Sequence, residues 1–242
     1  MAINDKIDEK LIIDTISKSL ESFYSRLIGK IDGLKLDDLL KRKNPYLFYS
    51  KSLNTASEII DGILSATISS SEETIFGNEF FEPLAIVASG GTKSLSEGAD
   101  VEIITEYSIY LIAVKSGVSV FNSSSKKRQE ENFRSAAKRA QQARKSFHPI
   151  IGYGYGKKNS NKKGDTYIEL AGQEFWEELT GDSEFYKKII TYIGNIPEKH
   201  RFDFEKAYTN AKNRLELEFL NKYCLPDGSI NWDLLVEYNS GR

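Results

Sequence analysis

Residues 98–117, GADVEIITEYSIYLIAVKSG, constrain the fold of this 242-residue chain more than any other segment. Acidic and apolar side chains alternate over residues 100–103, which is the period-two pattern of a strand with one buried face. Residues 106–108 form a short polar connection, and the apolar run 109–114 is typical of a central strand that is covered on both sides. Lys115 ends this run. An ammonium group is costly to bury alone, so it either reaches solvent or faces an anionic partner.

An Asp at the start of one predicted strand and a Lys at the end of the next, fifteen residues later, resemble the core of the PD-(D/E)XK nucleases. The flanking runs SSSEETIFG and GDTYIELAGQEFWEELTGD resemble those of bacterial type II restriction endonucleases. The resemblance implies an α/β fold of the restriction-endonuclease type. Its core would be a central mixed sheet flanked by helices, with helical extensions at the N and C termini.

The resemblance also implies the roles of several residues. Asp100 takes the place of the first metal-binding carboxylate, Lys115 that of the catalytic lysine, and the Val114 carbonyl that of a further metal ligand. The sequence departs from the family pattern at Ala113, because the second acid is expected two residues before the lysine. Glu82, on the helix that precedes the hairpin, is the first candidate to replace that acid in catalysis and metal binding. The other candidates are Glu79, Glu102, Glu130 and Glu131.

The function implied by the resemblance is magnesium-dependent, sequence-specific cleavage of double-stranded DNA. We expect a homodimer, because two copies are the simplest way to cut both strands of a twofold-symmetric site. A type II restriction endonuclease also implies a cognate DNA methyltransferase in the same system. Two alternatives stay open: a nuclease of the same core that acts in repair or recombination, and a DNA-binding protein on a catalytically degenerate scaffold, which Ala113 suggests.

Charge is distributed unevenly along the chain. Thirteen Lys and Arg residues but only two acidic residues lie between positions 115 and 163, a net charge of +11 in a chain whose total is -2. A basic tract inside an otherwise acidic protein predicts one face that meets a polyanion. The pattern suits contacts with the DNA backbone. The predicted contacts are Lys126, Lys127, Arg128, Arg134, Lys138, Lys157 and Lys158.

The number of cysteines and the hydropathy of the chain limit the kinds of protein that this sequence can encode. Cys224 is the one cysteine, which excludes an internal disulfide and a thiolate metal cluster. No stretch approaches the eighteen or so consecutive apolar residues of a membrane span. We therefore expect a cytoplasmic protein that has no contact with a membrane.

The remaining pattern predicts a single domain over 1–242, with a helical N-terminal extension (1–70), a nuclease core (71–180) and a helical C-terminal extension (181–242). Helices are expected over 5–28, 35–42, 126–147 and 197–223. Thr55 and Glu58 predict a capping box, the serine run 69–71 a break between two helices, and Pro83 a kink. Two further strands are expected over 148–155 and 165–170, joined by the basic loop 156–164. Apolar residues of the last long helix, from Phe202 to Leu220, are expected to supply core.

Overall fold

A computed structural model describes residues 3–4, 8–158 and 166–241 of the chain. They group into two compact units. The first contains the described parts of residues 1–23 and 73–197, and the second those of 24–72 and 198–242. Each unit is described by itself below. That the chain forms a single domain with two helical extensions stays a prediction.

The helices and strands alternate only in the middle of the chain. The helices are α1 (Glu9–Asp32), α2 (Leu36–Leu40), α3 (Pro45–Ser50), α4 (Ala56–Phe76), a π-helical turn (Gly77–Phe81), α5 (Glu82–Ser89), α6 (Ser123–Gln142), α7 (Gln173–Thr180), α8 (Phe185–Ile193), α9 (Ile196–Tyr223) and α10 (Trp232–Ser240). The strands are β1 (Thr92–Lys93), β2 (Val101–Ile104), β3 (Ser108–Lys115), β4 (Ser146–Tyr153) and β5 (Ile168–Ala171).

The five strands form one mixed sheet in the order β1-β2-β3-β4-β5. β1, β2 and β3 pair antiparallel, with Val101 opposite Ile112. β3, β4 and β5 pair parallel, and α6 forms part of the crossover between β3 and β4. The mixed sheet with helices therefore agrees with the predicted α/β restriction-endonuclease-like class.

Both faces of this sheet are covered, as the apolar run of β3 predicts. On one face Val101, Ile112 and Val114 pack with side chains of α1, α5, α7 and α8. On the other face Leu111 and Ala113 pack with Phe133 of α6. β3 is thus the central strand, and its last residue, Lys115, lies where both buried layers end.

The second unit is helical within its described residues. α9 buries one stripe at four-residue steps, from Ala207 through Leu215 and Phe219 to Tyr223. The sequence expectation for this helix was only partly right: Phe202, Leu217 and Leu220 are exposed. These three residues lie outside the buried stripe of α9, so their apolar side chains do not take part in its packing.

Several predicted helix boundaries are wrong. α1 ends at Asp32 rather than at residue 28, and α6 begins at Ser123 rather than at residue 126. α4 runs through the serine run 69–71 without a break, since the Ser71 hydroxyl donates to the Thr67 carbonyl one turn earlier and is satisfied inside the helix. α6 ends at Gln142 rather than at residue 147, because Arg144 adopts a left-handed conformation (φ 56°) that ends the helix. The chain then enters β4 two residues earlier than predicted.

The predicted start of β5 at Asp165 and most of the basic loop lie outside the described residues.

Candidate active site

The predicted hairpin forms, and it positions Asp100 directly before β2. The backbone N–H of Asp100 donates to the Ile112 carbonyl over 2.8 Å. Its carboxylate Oδ2 accepts a hydrogen bond of 2.7 Å from the backbone N–H of Val114. The acid is therefore fixed to β3 by both its backbone and its side chain, which leaves its orientation little freedom.

Lys115 brings its ammonium group to the same place. Its Nζ donates to the Val114 carbonyl over 2.9 Å and lies 3.5 Å from Asp100 Oδ2. The two side chains are about a quarter exposed, at 28% for the lysine and 21% for the aspartate. One positive group is thus shared by two oxygen atoms at the end of the central strand. This is the pairing that the apolar strand ending in a lysine requires.

Glu82 approaches this pair from the helical side. It begins α5 directly after the π-helical turn, and its N–H donates to the Gly77 carbonyl five residues earlier. The π-helical turn, which is wider than an α-helical turn, ends two residues before Pro83. Proline has no backbone N–H, so it cannot continue the hydrogen-bond pattern of an α-helix. Burial, and after it the negative charge of Asp100, raise the pKa of Glu82 to about 7, although the positive charges of Lys115 and Lys93 act in the opposite direction. Glu82, Asp100 and Lys115 therefore share one electrostatic environment.

A cavity of about 220 Å³ opens beside these groups. Its wall includes Glu82, the end of β3 and the helical segment before the π-helical turn. A Cβ on Gly77 would come within 2.6 Å of Ser116 Oγ, so the glycine allows this close approach. The Ser116 hydroxyl itself donates to the Glu73 carbonyl over 3.2 Å. The lining residues are Glu73, Thr74, Gly77, Asn78, Glu82, Val114, Lys115, Ser116 and Val120.

The other candidate acids have different surroundings. Glu79 accepts a hydrogen bond of 2.5 Å from Ser22 on α1, and Glu130 accepts one of 3.4 Å from the Tyr167 hydroxyl. Glu131 is exposed on α6. Ala113, where the family pattern has an acid, is fully buried in the apolar layer under α6. An acid at that position would therefore be surrounded by apolar side chains.

A family model described as type II restriction endonuclease EcoO109I matches residues 10–201, which is more than three quarters of the sequence. The chain belongs to this restriction endonuclease family. Membership implies an endodeoxyribonuclease that binds double-stranded DNA, and type II restriction endonucleases generally use a divalent metal ion. Among curated proteins, none matches the chain.

Among the described residues, no group of three or more His, Cys, Asp or Glu side chains could hold a metal ion. Within the described ranges, no helix has both the length and the apolar composition needed to span a membrane.

The predicted DNA contacts of this family member fall into two groups. Lys127, Arg134, Lys138 and Lys157 are exposed. By contrast, Lys126 and Lys158 bind the carboxylate of Glu169 on β5, and Arg128 pairs with Glu97 over 2.7 Å at the surface. Part of the basic tract therefore already has anionic partners inside the protein. The basic residues Lys162 and Lys163 lie outside the described residues.

Sequence reasoning missed two acids near the site. Glu73 lines the cavity and accepts a hydrogen bond of 3.3 Å from the Tyr155 hydroxyl. Its position near the end of a helix carries no signal of this role. Glu169 is nearly buried between apolar neighbours of β5, and an acid inside an apolar strand of a protein with a basic tract was a signal that could have revealed it.

A larger cavity of about 640 Å³ in the same unit is lined mainly by apolar side chains, including Phe81, Trp176 and Ile189. It does not include Asp100, Glu82 or Lys115. The candidate site is therefore chosen by the meeting of charged groups at the end of β3 and not by the size of a cavity.

Proposed function

We propose that this chain is a magnesium-dependent type II restriction endonuclease of the PD-(D/E)XK kind, which cuts a specific site in double-stranded DNA. The observation that supports this best is the Lys115 ammonium, 2.9 Å from the Val114 carbonyl and 3.5 Å from Asp100 Oδ2. These are the lysine, the acid and the backbone oxygen that the nuclease core requires, and they meet at the end of the central strand.

The donor set fits magnesium. The site offers the carboxylates of Asp100 and Glu82 and the Val114 carbonyl, all oxygen donors of the kind Mg²⁺ prefers, and Mg²⁺ normally keeps several waters besides a few protein ligands. Bound there, the metal ion would stabilise charge on the scissile phosphate and acidify the attacking water.

The same geometry defines what the protein groups do. Asp100 holds Lys115 in place, and the backbone N–H of Val114 in turn fixes the Asp100 carboxylate. Lys115 then positions or deprotonates the attacking water, or neutralises charge that develops on the phosphate. Each role requires an ammonium group that is held close to the reacting atoms but still partly open to solvent.

Glu82 is the residue that we propose for the acid missing at Ala113. Its raised pKa shows a half-buried carboxylate that faces a second carboxylate with too little positive charge between them. A bound divalent cation removes that deficit. Ala113, in contrast, is packed under α6, so the second acid reaches the site from α5 instead of from β3.

We further propose a homodimer and a cognate methyltransferase as partners. Cutting both strands of a twofold-symmetric site needs two equivalent active sites, and a C2 dimer supplies them. An enzyme that cuts a short site in any DNA also endangers the DNA of its own cell. A methyltransferase that modifies the same site would protect it.

The test is cleavage of mixed plasmid and phage DNA with Mg²⁺ by the wild type, Asp100→Asn and Lys115→Ala. We expect discrete fragments from the wild type and a loss of rate of at least about 10²–10³-fold in both variants, with DNA binding retained. Glu184→Gln, which removes one exposed charge directly before α8 of the same unit, is the matched control and should cut normally.

Two other results would each contradict the proposal. Cleavage restricted to branched or damaged DNA, without discrete plasmid fragments, would indicate a repair or recombination nuclease. A wild type that binds DNA but never cuts it with Mg²⁺ or Mn²⁺ would indicate a binding protein on a degenerate scaffold.

A further inference from the structure

A second cluster of charged groups combines residues of β4 and β5 of the same sheet with one lysine from α6 and one from the segment after β4. Glu169, whose side chain is 8% exposed, binds Lys126 over 2.7 Å and also pairs with Lys158. The Tyr153 hydroxyl donates to the same carboxylate over 2.8 Å. Lys158 also donates to the Tyr153 hydroxyl over 3.1 Å. We call these four residues the Glu169 cluster.

The sheet register connects the Glu169 cluster to the proposed active site. Tyr153 lies opposite Lys115 in the parallel pairing of β3 and β4, and neighbouring strands are separated by only about 4.8 Å. Glu169 lies opposite Ile151, two residues before Tyr153 on the same strand. Two lysines that lie 32 residues apart in the sequence thus meet beside the strand end that carries the catalytic lysine.

The charges of the Glu169 cluster do not cancel. One carboxylate meets two ammonium groups, which leaves a net charge of +1. The acid is nearly buried, but the side chains of Lys126 and Lys158 are 41% and 30% exposed. A buried acid needs only one cation to be neutralised, so the second lysine exceeds that structural requirement. Each ammonium group has three N–H donors, and the excess positive charge faces solvent.

Burial by itself raises the pKa of Glu169, but the hydrogen bonds from Lys126, Lys158 and Tyr153 outweigh burial and hold the pKa below its usual range. The carboxylate is therefore ionised and saturated by protein donors. The acceptor positions of Glu169 are thus occupied by Lys126, Lys158 and the Tyr153 hydroxyl. The function that this geometry supports is the positioning of the two lysines.

We propose that Glu169 is a positioning residue that holds Lys126 and Lys158 as a paired contact for a backbone phosphate of the DNA, beside the scissile phosphate. This inference rests on the proposed function, since it assumes that Lys115 marks the point of cleavage. A free lysine loses side-chain entropy when it orders on a phosphate. Lysines already held by Glu169 lose less, so the DNA backbone is bound in one register relative to Lys115.

The first test is the salt dependence of DNA binding, measured by fluorescence anisotropy with a labelled duplex in EDTA. Each phosphate contact contributes about -0.9 to the slope of log K against log salt. We expect Lys126→Ala and Lys158→Ala each to make the slope shallower by about that amount. Unchanged slopes in both variants would overturn the proposal. Because this measurement needs no cleavage, it gives its answer even if the proposed nuclease function is wrong.

The second test is Glu169→Gln, which keeps the shape of the side chain but removes its charge. We expect kcat for cleavage to fall about 10- to 100-fold, because a small displacement of a bound substrate has effects of that size. DNA binding at low salt should be equal or tighter, since one negative charge is gone. In the Glu169→Gln background, Lys126→Ala should change the slope by less than half of its effect in the wild type.

Glu184→Gln is the matched control for this variant, because it removes one carboxylate of an exposed ion pair with Lys187. It should leave kcat and the effect of Lys126→Ala unchanged. A purely structural role of Glu169 predicts a different result: lower stability, with the full effect of Lys126→Ala on the slope retained. That result, or wild-type cleavage by Glu169→Gln, would overturn the proposal. If Glu169→Gln fails to fold, the two lysine variants decide by themselves.

Discussion

Two clusters of acids and lysines lie on the same sheet, and their acids are held in opposite ways. Glu169 on β5 accepts hydrogen bonds from two lysines and a tyrosine, and its pKa is lowered. Glu82 on α5 is half-buried near Asp100, and its pKa is raised to about 7 because burial and the charge of Asp100 outweigh the positive charges of Lys115 and Lys93. The first carboxylate is satisfied by the protein, and the second is not.

The difference separates a structural or positioning acid from a candidate metal ligand. An acid whose ionised form is already stabilised by protein donors gains little from a cation. An acid whose ionised form is penalised by burial and by a neighbouring carboxylate gains most when a divalent ion binds. The penalised acid also lines a cavity of about 220 Å³ at the end of β3. The comparison therefore favours Glu82 for metal binding and Glu169 for holding basic residues.

Among the substitutions that test this comparison, Glu82→Gln is expected to have the largest effect, which is on the rate of DNA cleavage. It should reduce Mg²⁺-dependent DNA cleavage by about 10²–10³-fold, because it removes a proposed metal ligand while keeping the side-chain volume. Cleavage rates on plasmid DNA measure the effect. Glu131→Gln, on the exposed side of α6, is the matched control and should cut at the wild-type rate.

The same variant separates metal binding from other causes of lost activity. Mg²⁺ at a hundred times its Kd should raise the free energy of unfolding of the wild type by about 2.7 kcal/mol. It should have almost no effect on Glu82→Gln. Full stabilisation of the variant by Mg²⁺ would remove Glu82 from the metal site and break the comparison.

A smaller effect is expected on the stability of Glu169→Gln. At pH 7 we expect a loss of about 2 kcal/mol, below the 3–5 kcal/mol typical of a broken buried ion pair, because both lysines are partly exposed. The folded-state pKa of Glu169 is lowered, so its stabilising contribution is present above the unfolded value of about 4.3 and is lost as the pH falls through the folded value. Urea unfolding of both proteins from pH 7 to pH 3 should show the difference shrink. A difference that grows on acidification would contradict the assigned direction.

The smallest effect concerns the close approach of Gly77 to Ser116. In Gly77→Ala the new methyl group displaces the Ser116 hydroxyl from its bond to the Glu73 carbonyl, which should cost about 1 kcal/mol. In the double variant Gly77→Ala/Ser116→Ala no hydroxyl is left to be displaced, so this cost should disappear. The effects of the two substitutions on the free energy of unfolding, measured with urea, should therefore differ from additivity by about 1 kcal/mol. Strict additivity would show that the two residues do not meet.

The local sequence predicts much of this fold because its signals act over a few residues. Alternation predicts β2, and the apolar run predicts β3. For the lysine at the end of β3 the sequence predicts solvent or an anionic partner, and the structure pairs it with Asp100. The capping box of Thr55 and Glu58 forms as predicted, since each side chain reaches the backbone of the other. The breaks that fail, at the serine run and after Gln142, depend on side-chain hydrogen bonds and backbone angles that composition does not specify.

By itself, the sequence determined the hairpin, the place of Asp100 and Lys115 on it, and the basic tract that follows. Tertiary structure alone decided which glutamate faces that pair, and that Lys126 and Lys158 are bound to Glu169, 43 and 11 residues away in the chain. The physical reason is that burial and charge pairing between distant segments exist only once the sheet and its helices have packed. Those two quantities raise the pKa of Glu82 and lower that of Glu169.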